Sequence, residues 1–222
     1  MSLSNPVTSW SYSAYSLYNQ CPLKYKLVKI DKLKEPQSPH LERGNRIHKE
    51  GELFLVGQSQ QVPESYANFA DQLVDLKGMD PYCEQEWAFK HNWSRTTWHY
   101  TNKECWLRVK TDVCAVDGDD GLILDFKTGK KYDENLDQVE LFALAGMYVH
   151  PQVKNWDIRL WYLDSGDEVQ FERNRSTKER IKHEWTERVG PMFADTTFAP
   201  RPNRFCNWCH FRKSNGGPCA HA

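Results

Sequence analysis

The sequence predicts an α/β fold in which helices flank one mixed β-sheet. Four segments rich in aromatic and β-branched residues, separated by turn signals, follow one another between residues 84 and 128. A helical pattern, ENLDQVELFALAGMYV, then occupies 134–149, and a second hairpin occupies 156–173. A run of strands, then a helix, then further strands is typical of a mixed sheet covered by helices.

The composition indicates a globular chain that forms a single domain over 1–222. Hydrophobic residues make up 39% and charged residues 27%, which excludes a disordered chain. The net charge of −1 means that any nucleic-acid binding must use a local basic patch. The sequence lacks a run of about 18 apolar residues and a secretory signal, so we expect no membrane association and a location in the cytosol of a bacterium or infected cell.

The elements follow in order from local signals. A helix begins in the aromatic-rich segment 9–30 and is broken by Pro22, a second helix covers 41–55, and a loop with a short helix fills 56–80. The later elements are the strands 84–93, 96–101, 104–116 and 122–128, the helix 134–149, the hairpin 156–163 with 167–173, and a helix from Ser176 to Val189. The tail 200–222 has no periodicity, so we expect something other than a large core to order it.

One hairpin of the meander carries two acids and a lysine. Its turn is DGDDG, 117–121, and matching the apolar faces of the two strands places Val113 opposite Leu124. Asp112 then lies opposite Asp125, with Cβ atoms about 4.5–5.5 Å apart. Two carboxylates at that separation repel each other unless a cation lies between them.

Lys127 follows on the same face, one pleat beyond Asp125. Two carboxylates that share a divalent metal, with an ammonium beside them, suit phosphodiester hydrolysis. The metal polarises the phosphate and lowers the pKa of a bound water, and the lysine stabilises developing charge. The alternative is a solvated ion pair on an open strand face.

The set Asp112 and Asp125-Phe126-Lys127 resembles the PD-(D/E)XK nuclease superfamily. Three further segments, in order along the chain, resemble its RecB-like exonuclease branch, including the CRISPR-associated and phage members that carry a C-terminal cysteine cluster. They are SYSAYSLYNQCPLKYKLVKIDKL at 11–33, LERGNRIHKEGE at 41–52 and DQVELFALA at 137–145. The resemblance extends from about residue 10 to 219.

The resemblance implies a restriction-endonuclease-like core over about 41–190, with Mg²⁺ or Mn²⁺ at its active site. The implied metal ligands are His48, Asp112, Asp125 and the backbone carbonyl of Phe126. The implied catalytic lysine is Lys127, with Gln138 near it and near the DNA, and Arg43 and Glu86 in supporting roles. Phe142 stands where the branch usually has a tyrosine, and Lys110-Thr111 where it commonly has a glycine and a hydrophobic residue.

A second metal site is implied by the cysteines. The segment FCNWCHFRKSNGGPC supplies Cys206, Cys209 and Cys219. The resemblance to the RecB-like branch implies that these three, with Cys21 as the fourth ligand, hold a [4Fe–4S] cluster. This cluster would join the segments 10–35 and 195–222 into one subdomain. A structural Zn²⁺ site is the alternative, with His210 and His221 as possible ligands. The other cysteines, Cys83, Cys105 and Cys114, fall in predicted strands and are expected to be packed thiols.

These features together predict a metal-dependent DNA exonuclease that acts on single strands or ends in recombination, repair or phage DNA processing. A recombination or replication protein is a possible partner. The basic residues within 173–182 and around the cysteines are candidates for contacts with the phosphates along a DNA strand, with aromatic rings on which bases stack. For 173–182 the alternative is a solvated helix face. A structure-specific endonuclease and a non-catalytic DNA-binding module remain alternatives. Cleavage polarity and oligomeric state stay open.

Overall fold

The computed structural model describes residues 6–36, 38–99, 102–130 and 135–221. Its helices are α1 Tyr12–Gln20, α2 Pro22–Tyr25, α3 Pro39–Leu55, α4 Ala70–Gly78, α5 Asn135–Val149 and α6 Lys178–Ala194. Its strands are β1 Tyr82–Phe89, β2 Arg95–Thr96, β3 Leu107–Asp117, β4 Asp120–Lys127, β5 Asn155–Tyr162 and β6 Asp167–Asn174. Residue 134, where the predicted helix begins, lies outside the described ranges.

The six strands form one sheet in the order β2-β1-β3-β4-β5-β6. Every neighbouring pair is antiparallel except β4 and β5, which are parallel and are connected through α5. A parallel pair needs such a crossover, whereas antiparallel pairs need only short turns. The predicted α/β fold with a mixed central sheet is therefore confirmed.

The predicted strand 96–101 is wrong in extent, because β2 ends at Thr96. The side-chain amide of Asn102 donates to the hydroxyls of Thr96 and Thr97 and to the carbonyl of Thr97 at 2.9–3.0 Å. These bonds hold the segment after β2 in a loop, so the segment does not continue the pairing of β2 with β1. Residues 100 and 101 lie outside the described ranges.

Helices cover both faces of the sheet, so the core has two parts. One part joins α1, α5 and α6 to alternate residues of the strands, including Ile123, Ile158 and Leu160. The other joins α3 and α4 to the intervening residues, including Leu124 and Trp161. The sheet therefore lies between two helical layers. No helix within the described ranges is long and apolar enough to cross a bilayer.

Helix α5 approaches the sheet closely because two glycines admit a tryptophan. The ring of Trp156 on β5 lies between Gly121 of β4 and Gly146 of α5, where a Cβ atom would come within 2.7 and 2.8 Å of the ring. Trp156 is fully buried, so neither glycine could be replaced without moving it. This contact fixes the second half of α5 over the start of β4, the strand that carries Asp125 and Lys127 near its other end.

Candidate active site and cysteine-lined cavity

The ladder between β3 and β4 opens where the acidic residues lie. The predicted pairing of Val113 with Leu124 is confirmed, and it is the last register pair of the two strands on that side. Beyond it, the carboxylate of Asp112 accepts a hydrogen bond from the backbone N–H of Phe126 at 2.7 Å. A side chain thus replaces a backbone carbonyl as acceptor, and the two strands separate around the acids.

Asp125 and Lys127 form a half-enclosed ion pair on β4. Oδ2 of Asp125 lies 2.6 Å from Nζ of Lys127, and only 6% of Asp125 is exposed. Burial raises the pKa of Asp125, the charge of Lys127 partly opposes that rise, and the charge of Asp112 adds to it. The Asp125 carboxylate therefore lies in an environment that favours an additional cation.

Gln138 of α5 completes this side of the site. Nζ of Lys127 donates to Oε1 of Gln138 at 2.8 Å, so the lysine lies between a carboxylate and an amide. Four residues further along α5, Phe142 is 2% exposed and belongs to the core. A hydroxyl at position 142 would have pointed into apolar surroundings, which explains why phenylalanine fits here.

His48 reaches the acids from α3. Its Nδ1 lies 3.2 Å from Oδ1 of Asp112, and its ring meets the ring of Phe126 edge-on at 5.9 Å. Burial alone would lower the pKa of His48, but the hydrogen bond to Asp112 and nearby carboxylate charges raise it above its ordinary value. Helix α3 is fixed there because the Tyr66 hydroxyl donates to the carbonyl of Ile47 at 3.1 Å.

Glu84 of β1 also belongs to this site, although the sequence suggested Glu86. Ligand atoms of His48, Glu84 and Asp112 lie within 4.8 Å of one another, the only such group of three among the described residues. Glu84 has φ +52, a conformation rarely adopted by residues other than glycine, and it pairs with Lys110. Glu86 is exposed and lies opposite Lys110 in the ladder.

The sequence pattern did not single out Glu84, because strand alternation places positions 84 and 86 on the same face of β1. The signal that could have found it is register, since β1 places position 84 opposite Asp112, between the pairs Cys83–Val113 and Gln85–Thr111. Such an argument needs the pairing of β1 with β3, which are separated by β2 and a long loop.

Arg43 lies beside the turn that follows Lys127. Its guanidinium forms two hydrogen bonds with Asp164, whose carboxylate also accepts from the N–H of Gly129 at 2.9 Å. The bond from Arg43 is the main reason that the pKa of Asp164 lies below its ordinary value. Gly44 approaches Thr128 so closely that a Cβ atom would lie 3.3 Å from its hydroxyl oxygen. Arg43 therefore positions the turn and lies away from the acidic group itself.

Comparison with known proteins identifies the family. The model of the PD-(D/E)XK nuclease superfamily matches residues 9–214. The chain belongs to this superfamily. Among solved structures, a candidate exonuclease from Eubacterium rectale is 12% identical, with a TM-score of 0.51 over 91% of this chain and 87% of that one. The protein SSO0001 is 14% identical, with a TM-score of 0.47 over 92% of this chain and 84% of that one. No curated protein sequence matches this chain.

Some of the predicted site residues of this nuclease lie near one another in the structure, and others do not. His48 contacts Asp112, and Lys127 contacts both Asp125 and Gln138. The charges of Asp112 and His48 act on Asp125, so the two groups are neighbours, whereas Arg43 and Glu86 lie outside them. The N–H of Phe126 contacts Asp112, while a ligand role for its carbonyl stays a prediction. The catalytic and metal-binding roles of all these residues likewise stay predictions.

The four cysteines named from the sequence line one cavity of about 170 Å³, between the end of α1 and the tail. They are Cys21, Cys206, Cys209 and Cys219, all half-buried and none in a disulfide. His221 also lines this cavity, whereas His210 does not. The backbone N–H groups of Arg201 and Asn203 point to the sulfurs of Cys21 and Cys206 at 3.5 and 3.4 Å.

The remaining cysteines differ from these four in burial. Cys105 and Cys114 are 2% and 0% exposed, which confirms that they are packed thiols, and Cys83 is half-buried. Burial raises the pKa of Cys114 to about 12 and, with nearby carboxylates, that of Cys83 to about 11. Thiols that resist ionisation are poor metal ligands.

Proposed function

We propose that this nuclease is a metal-dependent deoxyribonuclease that removes nucleotides from DNA single strands or ends. The observation that carries the proposal is that the His48, Glu84 and Asp112 group lies close enough to the Asp125–Lys127–Gln138 chain for its charges to act on Asp125. An imidazole and several carboxylates form a donor set that suits a divalent ion. Exonuclease action is further supported by the resemblance to the RecB-like branch.

The donor set favours Mg²⁺ or Mn²⁺. Carboxylate oxygens suit both ions, and the imidazole of His48 favours Mn²⁺ over Mg²⁺. When bound, such an ion would polarise the phosphate and lower the pKa of a water molecule. We assign its ligands to His48, Asp112, Asp125 and the Phe126 carbonyl, and we add Glu84 on the strength of its position.

The protein groups have separate tasks in this proposal. Lys127, held by Asp125 and Gln138, presents its ammonium where negative charge develops on the phosphate oxygens. Asp112 keeps the two strands apart through its bond to the Phe126 N–H, so that a phosphate can approach between them. Arg43 orients the turn after Lys127 through Asp164 and Gly129.

We further propose that the four-cysteine cavity holds a [4Fe–4S] cluster. The four cysteines line one cavity, and the resemblance to the RecB-like branch implies that such a set holds a cluster. A structural zinc ion held by the same thiols is the alternative. With the cluster, residues 10–35 and 195–222 form one subdomain beside the core, within a single cytosolic nuclease domain.

Digestion of end-labelled DNA tests this function. Linear and covalently closed circular DNA are incubated with Mg²⁺, Mn²⁺ or a chelator. The proposal predicts metal-dependent release of mononucleotides or short products from linear DNA, while closed circles stay intact. Cutting of closed circles would identify the endonuclease alternative. Binding without cleavage under every metal condition would favour the non-catalytic module.

A further inference from the structure

The charge of the chain is unevenly distributed. After Asp195 the sequence contains four Lys or Arg residues and no Asp or Glu, although the whole chain has a net charge of −1. The four basic residues are Arg201, Arg204, Arg212 and Lys213. Within the described ranges, no carboxylate lies at ion-pair distance from any of them. Helix α1, which adjoins the tail, contains no charged residue. The tail is therefore positive, and α1 adds no charge of its own.

A groove of about 420 Å³ runs between α1 and the tail. We call it the tail groove, defined by Tyr12, Tyr15 and Asn19 on one wall and by Arg201, Asn203 and Phe205 on the other. The amide of Asn203 donates to the carbonyl of Gln20 at 2.8 Å, so the two walls are fixed to each other. A groove with fixed walls is preorganised for a ligand.

Exposed aromatic rings accompany the positive charge. Phe205 is 44% exposed and Trp208 is 78% exposed, on the same short 3₁₀ turn. The guanidinium of Arg204 lies 4.9 Å from the centre of the Phe205 ring. Aromatic rings beside unpaired guanidinium groups form the combination that binds unpaired bases and their phosphates.

The tail groove adjoins the first turn of α5. Asp137 lines it, and the next residue, Gln138, accepts the hydrogen bond from Lys127. The carboxylate of Asp137 would repel a phosphate, but Arg188 pairs with it at 2.6 Å and offsets its charge. Asp137 and Gln138 share the first turn of α5, so the tail groove and the hydrogen bond to Lys127 meet at the same end of this helix.

We propose that the tail groove binds single-stranded DNA and leads it into the active site, an inference that rests on the proposed nuclease function. A base stacks on Phe205, and neighbouring phosphates lie near Arg201 and Arg204. Stacking of this kind requires unpaired bases, so the groove discriminates against duplex DNA. The tail thereby acts as the part of the nuclease that selects single strands.

Fluorescence anisotropy of labelled oligo(dT), measured on the full-length protein without added Mg²⁺ or Mn²⁺, tests this inference without any cleavage. Phe205→Ala is expected to weaken binding roughly tenfold, and Phe205→Leu, which keeps apolar contact without a ring, to weaken it similarly. Tyr82→Ala is the matched control, because Tyr82 is 56% exposed and lies on β1. In Arg201→Ala/Arg204→Ala, the slope of log K against log salt should fall by about 1.4, at ~0.7 per lost phosphate contact.

Equal affinities for the Phe205 variants and Tyr82→Ala would overturn the inference. Equal weakening of binding to a duplex of the same length would overturn it too, because the surface would then bind the backbone of any DNA. Both results leave metal-dependent cleavage by the unaltered protein intact. Conversely, selective single-strand binding without any cleavage would refute the proposed nuclease function and would still support single-strand binding by the tail groove.

Discussion

The acidic end of the sheet and the cysteine-lined corner are held in place by different forces. Strand β4 pairs with β5 along its whole length, through Asp125, and Asp125 is 6% exposed. The described tail from residue 200 has two short 3₁₀ turns, one bridge between Arg212 and Cys219, and one buried hydrophobic residue, Phe211. The sheet therefore positions the active site through burial, whereas the tail depends on specific bonds.

This difference predicts how each region responds to loss of its cation. The active-site groups keep their contacts without a metal, since Lys127, Gln138 and backbone groups already engage them. The tail has little burial to offset its ordering entropy, so a metal centre would supply much of its folding free energy. Metal removal should abolish activity at the first site and reduce stability at the second.

The largest effect is expected from Asp125→Ala. Because Asp125 contacts Lys127 and is a proposed metal ligand, cleavage should fall by about 10³-fold or more, and Mn²⁺ binding should weaken. The thermal midpoint should change little, because the β4–β5 ladder through position 125 remains. Single-turnover cleavage and Mn²⁺ titration measure the two effects. Near-normal cleavage would show that the site is assigned wrongly.

Cys21→Ala should produce the opposite pattern. Protein purified without oxygen should be brown with about four iron atoms per chain, and the variant should lose the colour and several degrees of thermal stability. Proteolysis after residue 195 should become faster. Cys114→Ala provides a control, since it removes a buried thiol outside the cavity and should keep the colour. Colourless protein with one zinc ion would replace the cluster with a zinc site, and thiols that all titrate freely would exclude both.

Glu84→Gln tests the residue that strand alternation did not reveal. Glu84 supplies one of three possible ligand atoms that lie within 4.8 Å of one another. Loss of its carboxylate charge should therefore weaken Mn²⁺ affinity about tenfold, as measured by isothermal titration without DNA. Glu86→Gln, two residues along the same strand and exposed, should leave that affinity unchanged. If the two variants bind Mn²⁺ alike, Glu84 is a structural partner of Lys110 and not a metal ligand.

The smallest effect is expected from the Arg43–Asp164 pair. Arg43→Ala and Asp164→Ala should each slow cleavage a few-fold, and the double variant should be no slower than either, because all three lose the same support for Gly129. The lowered pKa of Asp164 means that its contribution to stability is present above pH 4 or so and disappears as pH falls through the native pKa. Additive losses in the double variant would argue that the residues act separately.

Much of the fold could be predicted from local patterns. The alternation of β3 and β4, with a turn at 117–121, determined the pairing of Val113 with Leu124, and the apolar pattern identified α5. These signals succeed because the interacting residues are close in sequence or share one periodicity. The same register predicted Asp112 opposite Asp125, but the ladder ends at Val113–Leu124, and the Asp112 carboxylate accepts from the Phe126 N–H instead.

Other features depend on contacts distant in sequence. Arg43 meets Asp164 across 121 positions, and the left-handed conformation of Glu84 has no local signal such as a glycine. Along β3, Val109 packs with the α5 side while Val113 packs with the α3 side, although simple alternation puts both on one face. The side chains of β3 thus switch from one face of the sheet to the other near Asp112, where the β3–β4 ladder opens. Tertiary packing determines this switch, and the alternation of apolar residues along the strand does not show it.

The most direct test of the nuclease mechanism compares two lysines of the same segment. Lys127 contacts Asp125 and Gln138, whereas Lys130, three residues later, is exposed. Single-turnover cleavage of end-labelled single-stranded DNA is measured at saturating Mn²⁺ for Lys127→Ala and Lys130→Ala. Lys127→Ala should be slower than the unaltered protein by about 10²–10³-fold with unchanged Mn²⁺ affinity, while Lys130→Ala should lose no more than a few-fold. Equal rates for the two variants would contradict the assignment of Lys127 as the catalytic lysine.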